Sequence, residues 1–161
     1  MTMADMLVKL YEIPDDPVFL AGQEALGITI RKPFGPEKHL IIDWVRENFE
    51  EAWASEVDMA LSNRPVSCFV ALDRDTLAGF VCYDATTLGF FGPEGVDEGY
   101  RGRGIGKALL LACLLDMKRK GYGYAIIGDA GPQEFYARVV NAVTIPDSTP
   151  GIYKGLLRGS K

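Results

Sequence analysis

Arg101, Arg103 and Lys107 interleave with Gly102, Gly104 and Gly106 in one short run, Arg101-Gly102-Arg103-Gly104-Ile105-Gly106-Lys107, which leads directly into Ala108-Leu109-Leu110-Leu111. Three glycines within five positions remove the Cβ atoms that would hold a ligand away from the main chain. The free N–H groups at the start of the apolar helix that follows, with the positive end of its dipole, make a seat for a phosphate. The three cations concentrate positive charge at the same place. A plain strand-to-helix turn needs neither the glycines nor the cations. The chemistry open to this run is polyphosphate binding.

Spacing narrows the choice. A nucleotide-binding loop of the Walker A type requires glycine five positions ahead of the Gly-Lys pair and Ser or Thr after it. Arg101 and Ala108 stand at those places. A dinucleotide fingerprint begun at Gly102 meets Lys107 where it needs Gly or Ala, and one begun at Gly104 meets Leu109. What fits is Arg-x-x-Gly-x-Gly, as Arg101, Gly104 and Gly106, with strand-like Val96 before it and a Leu-rich helix behind it.

In this arrangement the chain resembles the coenzyme A pyrophosphate loop of the GNAT (GCN5-related) N-acetyltransferase superfamily. The resemblance covers roughly residues 28 to 157, with the motifs at 96–107 and 135–136. It implies an α/β (α+β) fold, with a mixed central sheet carrying a splayed pair of strands flanked by helices. It also implies acetyl-CoA as cosubstrate, bound at Gly95, Val96, Arg101, Gly102, Arg103, Gly104, Ile105, Gly106 and Lys107. Two places depart from the family pattern: Glu98 replaces a common proline, and Asn141-Ala142-Val143 replaces a common Gly-Phe.

The elements that must position the loop follow from composition and periodicity. A chain of 161 residues builds one domain with a real core, and 48% hydrophobic with 24% charged residues is an ordinary globular balance. The net charge of -5 disfavours nonspecific nucleic-acid binding and leans toward cationic partners such as an amine. The apolar run Ala108–Leu115 is about half of a membrane span, and the start of the chain lacks the features of a signal peptide. The expectation is a cytoplasmic protein with no membrane partner. Cys68, Cys82 and Cys113 have no metal spacing and an odd count, so they read as reduced core residues, and no metal is called for.

Along the chain, Leu7–Ile13 reads as a strand and Val18–Leu26 as a short helix closed by Gly27, so residues 1–27 form an N-terminal extension ahead of a domain over 28–161. Whether that extension adds a strand beside Ile28–Lys32 stays open. Ile28–Lys32 alternates apolar and polar, as a strand does. Gly35-Pro36-Glu37 opens a helix, and the apolar face through Ile41, Val45, Phe49, Trp53, Val57 and Leu61 is either one bent helix or two with a break near Glu50-Glu51. Trp44 and Trp53 read as core, and His39 has no partner pattern. Val66–Leu72 and Leu77–Tyr83 form a hairpin, and Leu88–Val96 is a strand whose Gly and Pro residues predict a bulge or splay. The helix Gly104–Lys120 ends on Lys118-Arg119-Lys120 and Gly121, and Tyr124–Ile127 is a short strand parallel to Leu88–Val96. Gln133–Val140 is a helix, and 141–145 with 152–157 read as a closing strand pair.

A strand that splays from its neighbour leaves N–H and C=O groups free for an amide-bearing ligand, and pantetheine carries two amides. The resemblance assigns that role to backbone at Gly95 and Val96. It makes Tyr136 the general acid that protonates the departing thiolate, and a phenol of pKa about 10 holds a proton to give. An alkyl amine is mostly protonated at neutral pH, so a base must take its proton. Glu94 is the nearest carboxylate and shares a strand face with Val96, Asp84 is the reserve, and a water chain is the alternative. Glu47, Glu50, Glu51 and Glu56 read as a solvated helix face, although the resemblance places them beside the acceptor, where they could meet a cationic amine.

The leading function is transfer of an acetyl group from acetyl-CoA to a primary amine by direct attack. The alternative is a catalytically silent CoA-binding regulatory or interaction module. Members of the superfamily often form dimers, which leaves a homodimer open.

Overall fold

The computed structural model describes residues 3–159. The elements run β1 (Met6–Lys9), α1 (Val18–Ala25), β2 (Ile28–Arg31), α2 (Lys38–Asn48), α3 (Glu51–Ser62), β3 (Cys68–Asp73), β4 (Thr76–Tyr83), β5 (Phe90–Val96), α4 (Ile105–Lys120), β6 (Tyr124–Ile127), α5 (Gln133–Val140) and β7 (Val143–Thr144). The strands form one mixed sheet in the order β2-β3-β4-β5-β6-β1-β7. Only β5 and β6 pair in parallel, and α4 is the crossover between them.

Two apolar clusters sandwich the sheet. One holds Leu109, Leu110, Leu114 and Met117 of α4 with Met6, Val8, Val81, Tyr83 and Ile127 of the strands. The other holds Ile41 and Val45 of α2 and Val57, Ala60 and Leu61 of α3 against Cys68, Val70, Phe80 and Cys82. Strand alternation explains why neighbours on β4 serve opposite clusters. A bulge at Ala78, where Gly79 pairs Ala71 and Leu77 pairs Leu72, resets that alternation.

The N-terminal strand lies far from β2. It is inserted between β6 and β7, antiparallel to both, and ends at Lys9, where the chain makes a short turn over Leu10–Glu12. The anticipated closing pair is corrected as well. Residues 143–144 form a two-residue strand, and Gly151–Tyr153 is a turn of 3-10 helix. Residues 152–157 add no strand beyond β7, which is the edge of the sheet and pairs with β1.

The helical region is two helices. Phe49 leaves helical geometry (φ -132°, ψ -99°) and Glu50 starts α3 from an extended conformation. Phe49 is held there by rings on every side, stacked on Trp53 (centroids 5.2 Å apart) and edge-on to Trp44 and Phe80. A Cβ on Gly95 would stand 2.5 Å from Phe49 Cζ, so the break and the glycine of β5 require each other. At the far end of α4, Gly121 (φ +111°) closes the helix. The Lys118 ammonium donates to the Ile13 carbonyl (2.7 Å) and pairs with Asp15 (2.9 Å), which ties the N-terminal segment down.

Candidate active site

The glycine-rich run lies between β5 and α4, where β5 has just left its parallel partner. Gly102 (φ +80°) and Gly104 (φ +79°) both take the left-handed conformation, which side chains resist. The first intrahelical bond runs from the Ala108 N–H to the Gly104 carbonyl (3.1 Å), and no side chain caps the helix. The N–H groups of Ile105, Gly106 and Lys107 therefore have no acceptor within the helix. Arg101 and Lys107 are exposed beside them, and Arg103 lies over the Tyr100 ring at 4.9 Å. Tyr100 is itself anchored by its hydroxyl to Asp73 (2.8 Å). The Arg101 Nε donates to the Val96 carbonyl (3.3 Å).

Beneath the loop sits a residue that the motif does not contain. Gln23 of α1 is buried, and its amide donates to the Arg103 carbonyl (3.1 Å). It lies 3.3 Å from where a Gly104 Cβ would be. Its own Oε1 is buried without a partner. Nothing in the spacing of the sequence links position 23 to 103; only the packing of α1 on α4 does so.

β5 pairs with β6 only at Phe90 and Phe91, and then continues alone to Val96. The ladder to β4 gains one extra residue at Gly92-Pro93, where Gly92 takes φ +109°. The Asp97 N–H bonds the Ala78 carbonyl (2.8 Å), so by antiparallel alternation the N–H and C=O of Val96 and Glu94 face the open side. The same alternation turns the N–H and C=O of Gly95 toward Phe80 of β4. Side chains of Glu94 and Val96 do share a face: a Cβ on Gly106 would meet Val96 Cγ2 at 3.7 Å and Glu94 Oε2 at 3.9 Å.

At the splay opens a cavity of about 450 Å³, with Glu94, Tyr136, Phe91 and Trp53 among its walls. Glu94 Oε1 is out of reach of solvent and has no hydrogen-bond partner. Burial pushes its carboxyl well above the usual carboxylate range. Tyr136 is buried edge-on against Phe91 (6.1 Å between centroids) and Phe135. Its phenol is raised above the ordinary value by burial and then by the Glu94 charge, so the two groups feel each other. Residues that lie 42 positions apart in sequence, 94 and 136, thus line one cavity beside the start of α4.

Other candidates fall elsewhere. Asp84 is buried and fully engaged: it accepts from the Gly89 N–H (2.8 Å), the Lys120 ammonium (2.9 Å) and the Tyr122 hydroxyl (2.8 Å). It pins the β4–β5 loop to the end of α4 and has no lone pair to spare for a substrate, so the reserve base is withdrawn. Glu51 pairs with Arg46 on the surface, and His39 is exposed. Glu47 lines a separate hollow of about 440 Å³ between α2 and the β3–β4 hairpin, which contains neither loop nor Tyr136. Glu50 and Glu56 do reach the cavity, and the Thr86 hydroxyl donates to Glu56. Asp129, Tyr153 and Arg158 also line it, none of them marked by a motif. Cys68 and Cys82 stand opposite each other on β3 and β4, and all three cysteines are buried and unpaired in disulfides. Among the described residues no group of His, Cys, Asp and Glu is arranged to hold a metal, and no helix is long and apolar enough to cross a membrane.

Solved structures share this architecture. A region described as a GCN5-related glucosamine N-acetyltransferase, within a fungal multi-domain GH3 β-N-acetylglucosaminidase, superposes with a TM-score of 0.72 over 90% of this chain and 20% of that one, at 17% identity. A GCN5-related N-acetyltransferase from Sphaerobacter thermophilus gives a TM-score of 0.61 over 90% of this chain and 50% of that one, at 23% identity. One from Kribbella flavida gives 0.54 over 89% and 55%, at 13% identity. The chain therefore spans a fifth to about half of the length of these proteins, and at such identities the likeness is one of fold. No curated protein matches the sequence. Residues 36–139, more than half of the chain and including the whole glycine-rich loop, match the Acetyltransferase (GNAT) family, and the chain belongs to that family.

Proposed function

We propose that the protein transfers an acetyl group from acetyl-CoA to a primary amine. The observation that carries this reading is the continuity of the site. Left-handed Gly102 and Gly104 open onto the free N–H groups of α4, next to the open edge of β5, and that edge leads to Glu94 and Tyr136 in one cavity. An anionic polyphosphate at one end and an amide-bearing arm along the strand match these groups in kind and order.

In this reading Arg101, Lys107 and the N–H groups of Ile105, Gly106 and Lys107 hold the pyrophosphate of acetyl-CoA. The outward N–H and C=O of Val96 and Glu94 take the amides of its arm. The neutral amine attacks the thioester carbonyl carbon, a C–N bond forms, and the C–S bond breaks. The proton lost by the amine goes to Glu94, directly or through water. Burial makes that carboxylate a stronger base than an exposed one. The departing thiolate takes the Tyr136 proton, which the phenol holds at any physiological pH. An N–H of the open strand edge polarises the carbonyl.

The test is calorimetric titration with acetyl-CoA and CoA, on wild type and on Arg101→Ala/Gly104→Val, followed by an amine panel with wild type and Tyr136→Phe. Binding is expected in wild type and lost in the double variant. Transfer to an amine, slowed by about 10- to 100-fold in Tyr136→Phe with acetyl-CoA affinity kept, supports the assigned acid. No binding at millimolar ligand sinks the acyltransferase reading. Binding without transfer to any amine leaves the silent CoA-binding module.

A further inference from the structure

The cavity carries far more negative charge than one proton acceptor requires. Besides Glu94 it presents Glu50, Glu56 and Asp129, against a single guanidinium, Arg158. Glu56 is half-buried and Glu50 and Asp129 are exposed; several other acids of the protein have ion-pair partners, as Glu37 has Arg31, Asp116 has Lys32 and Asp84 has Lys120. Among the described residues Glu50, Glu56 and Asp129 take part in no ion pair, although the chain carries 17 lysines and arginines.

These carboxylates fall into two groups. Glu94 shares its surroundings with Tyr136 and the start of α4. Burial pushes the Tyr153 phenol up to about 12, and the charges of Asp5, Glu56 and Asp129 add to it, while the Glu56 carboxyl is raised by burial, and Glu50 adds a like charge beside it. Tyr153 can enter only because position 128 is glycine, since a Cβ there would collide with its hydroxyl. The Trp53 and Tyr153 rings stand in the wall beside this second group. Aromatic faces next to unneutralised carboxylates are the surroundings in which an ammonium ion is stabilised twice, by charge and by the ring quadrupole. An acceptor with its own carboxylate would find only Arg158.

We infer that the acceptor is an alkyl diamine or polyamine, whose reacting nitrogen lies at Glu94 while a second, charged nitrogen is held by Glu56, Glu50 and Asp129. This rests on the acetyltransfer reading and adds the substrate class to it. A diamine neutralises the unpaired carboxylates and leaves one nitrogen free to lose its proton. A monoamine does only the latter.

The experiment compares 1,4-diaminobutane, 1-aminobutane and 4-aminobutan-1-ol as acceptors with acetyl-CoA. It uses wild type, Glu56→Gln, which keeps an oxygen for the Thr86 hydroxyl, and Asp129→Asn. The same amines are titrated into the CoA complex as a readout independent of turnover. In wild type the diamine is expected to exceed both monofunctional amines in kcat/KM and in affinity by about tenfold or more, the scale of one desolvated charge contact. That ratio should fall below about threefold in Glu56→Gln and shrink in Asp129→Asn. Equal use of diamine and monoamine by wild type, or a ratio unchanged in both variants, overturns the inference while leaving acetyl transfer standing. Should acetyl-CoA bind but no amine be acetylated, the transfer reading fails, and the titrations decide this one. Diamine binding lost in Glu56→Gln supports it, and equal binding of all three amines overturns it. Absence of acetyl-CoA binding overturns both.

Discussion

Gly104 and Gly106 belong to one motif, yet the structure predicts opposite responses to the same change. Gly104 caps α4 at φ +79°, and a methyl group there would stand 3.3 Å from the Gln23 amide nitrogen. Holding an L residue in the left-handed region costs about 1–2 kcal/mol. The amide must also give by a few tenths of an ångström while keeping its bond to the Arg103 carbonyl. In a chain of this size that corresponds to a fall in Tm of about 2–8 °C. Relief by turning the peptide would swing the N–H groups of Ile105 and Gly106 off their line, and hydrogen bonds to a charged group are worth about 1.5–3 kcal/mol each. Gly104→Ala should therefore raise the Kd of acetyl-CoA by about tenfold or more. Gly106 is already helical, and its added Cβ would make ordinary contacts at 3.7 and 3.9 Å with Val96 and Glu94. Alanine gains up to about 1 kcal/mol over glycine in a helix, so Gly106→Ala should hold or raise Tm and keep the Kd within about threefold. Differential scanning fluorimetry with calorimetric titration reads both quantities. Equal losses in the two variants, or an unaltered Tm and Kd in Gly104→Ala, refute the account of the loop.

Two more outcomes follow from the buried acids. Glu94 is raised in the folded state, so at low pH both folded and unfolded chains hold its proton and it costs nothing. As pH climbs above the ordinary carboxylate range, the unfolded chain ionises first and stability falls until the raised folded value is passed. Glu94→Gln should thus raise Tm at about pH 8 by about 2–4 °C or more, with the gain vanishing near pH 4, while kcat/KM drops and its rising limb with pH disappears. A constant difference in Tm across that range would rule out the burial penalty. Asp84→Asn should instead cost about 2–4 kcal/mol of stability, because it weakens the bonds from Lys120, Tyr122 and Gly89 together. Acetyl-CoA affinity should stay within about threefold; a selective loss of affinity with unchanged Tm would return Asp84 to the site.

Much of this molecule was legible in its residues. Chemistry confined to neighbouring positions reads directly from sequence, because glycine permits φ +80° wherever it stands and a helix start offers N–H groups whatever packs around it. The run from Arg101 to Lys107, the bulge at Gly92-Pro93 and the cap at Gly121 are all of that kind. Glu94 and Val96 share a face for an equally local reason, the two-residue period of a strand. What sequence could not hold is which distant groups meet. Asp84 and Glu94 are both strand-end carboxylates in sequence. Only packing surrounds the first with Lys120 and Tyr122 and leaves the second without a partner beside Tyr136. The apolar residues 152–157 read as a strand, but they begin in a turn of 3-10 helix and the sheet ends at β7, next to a β1 that arrives from the other end of the chain. Gln23 under the loop, and Asp129, Tyr153 and Arg158 around the cavity, carry no pattern at all. Local backbone preference determined the left-handed glycines and the free N–H groups of the loop; desolvation and long-range juxtaposition, which exist only once the chain has closed on itself, decided which carboxylates and which phenol share the cavity.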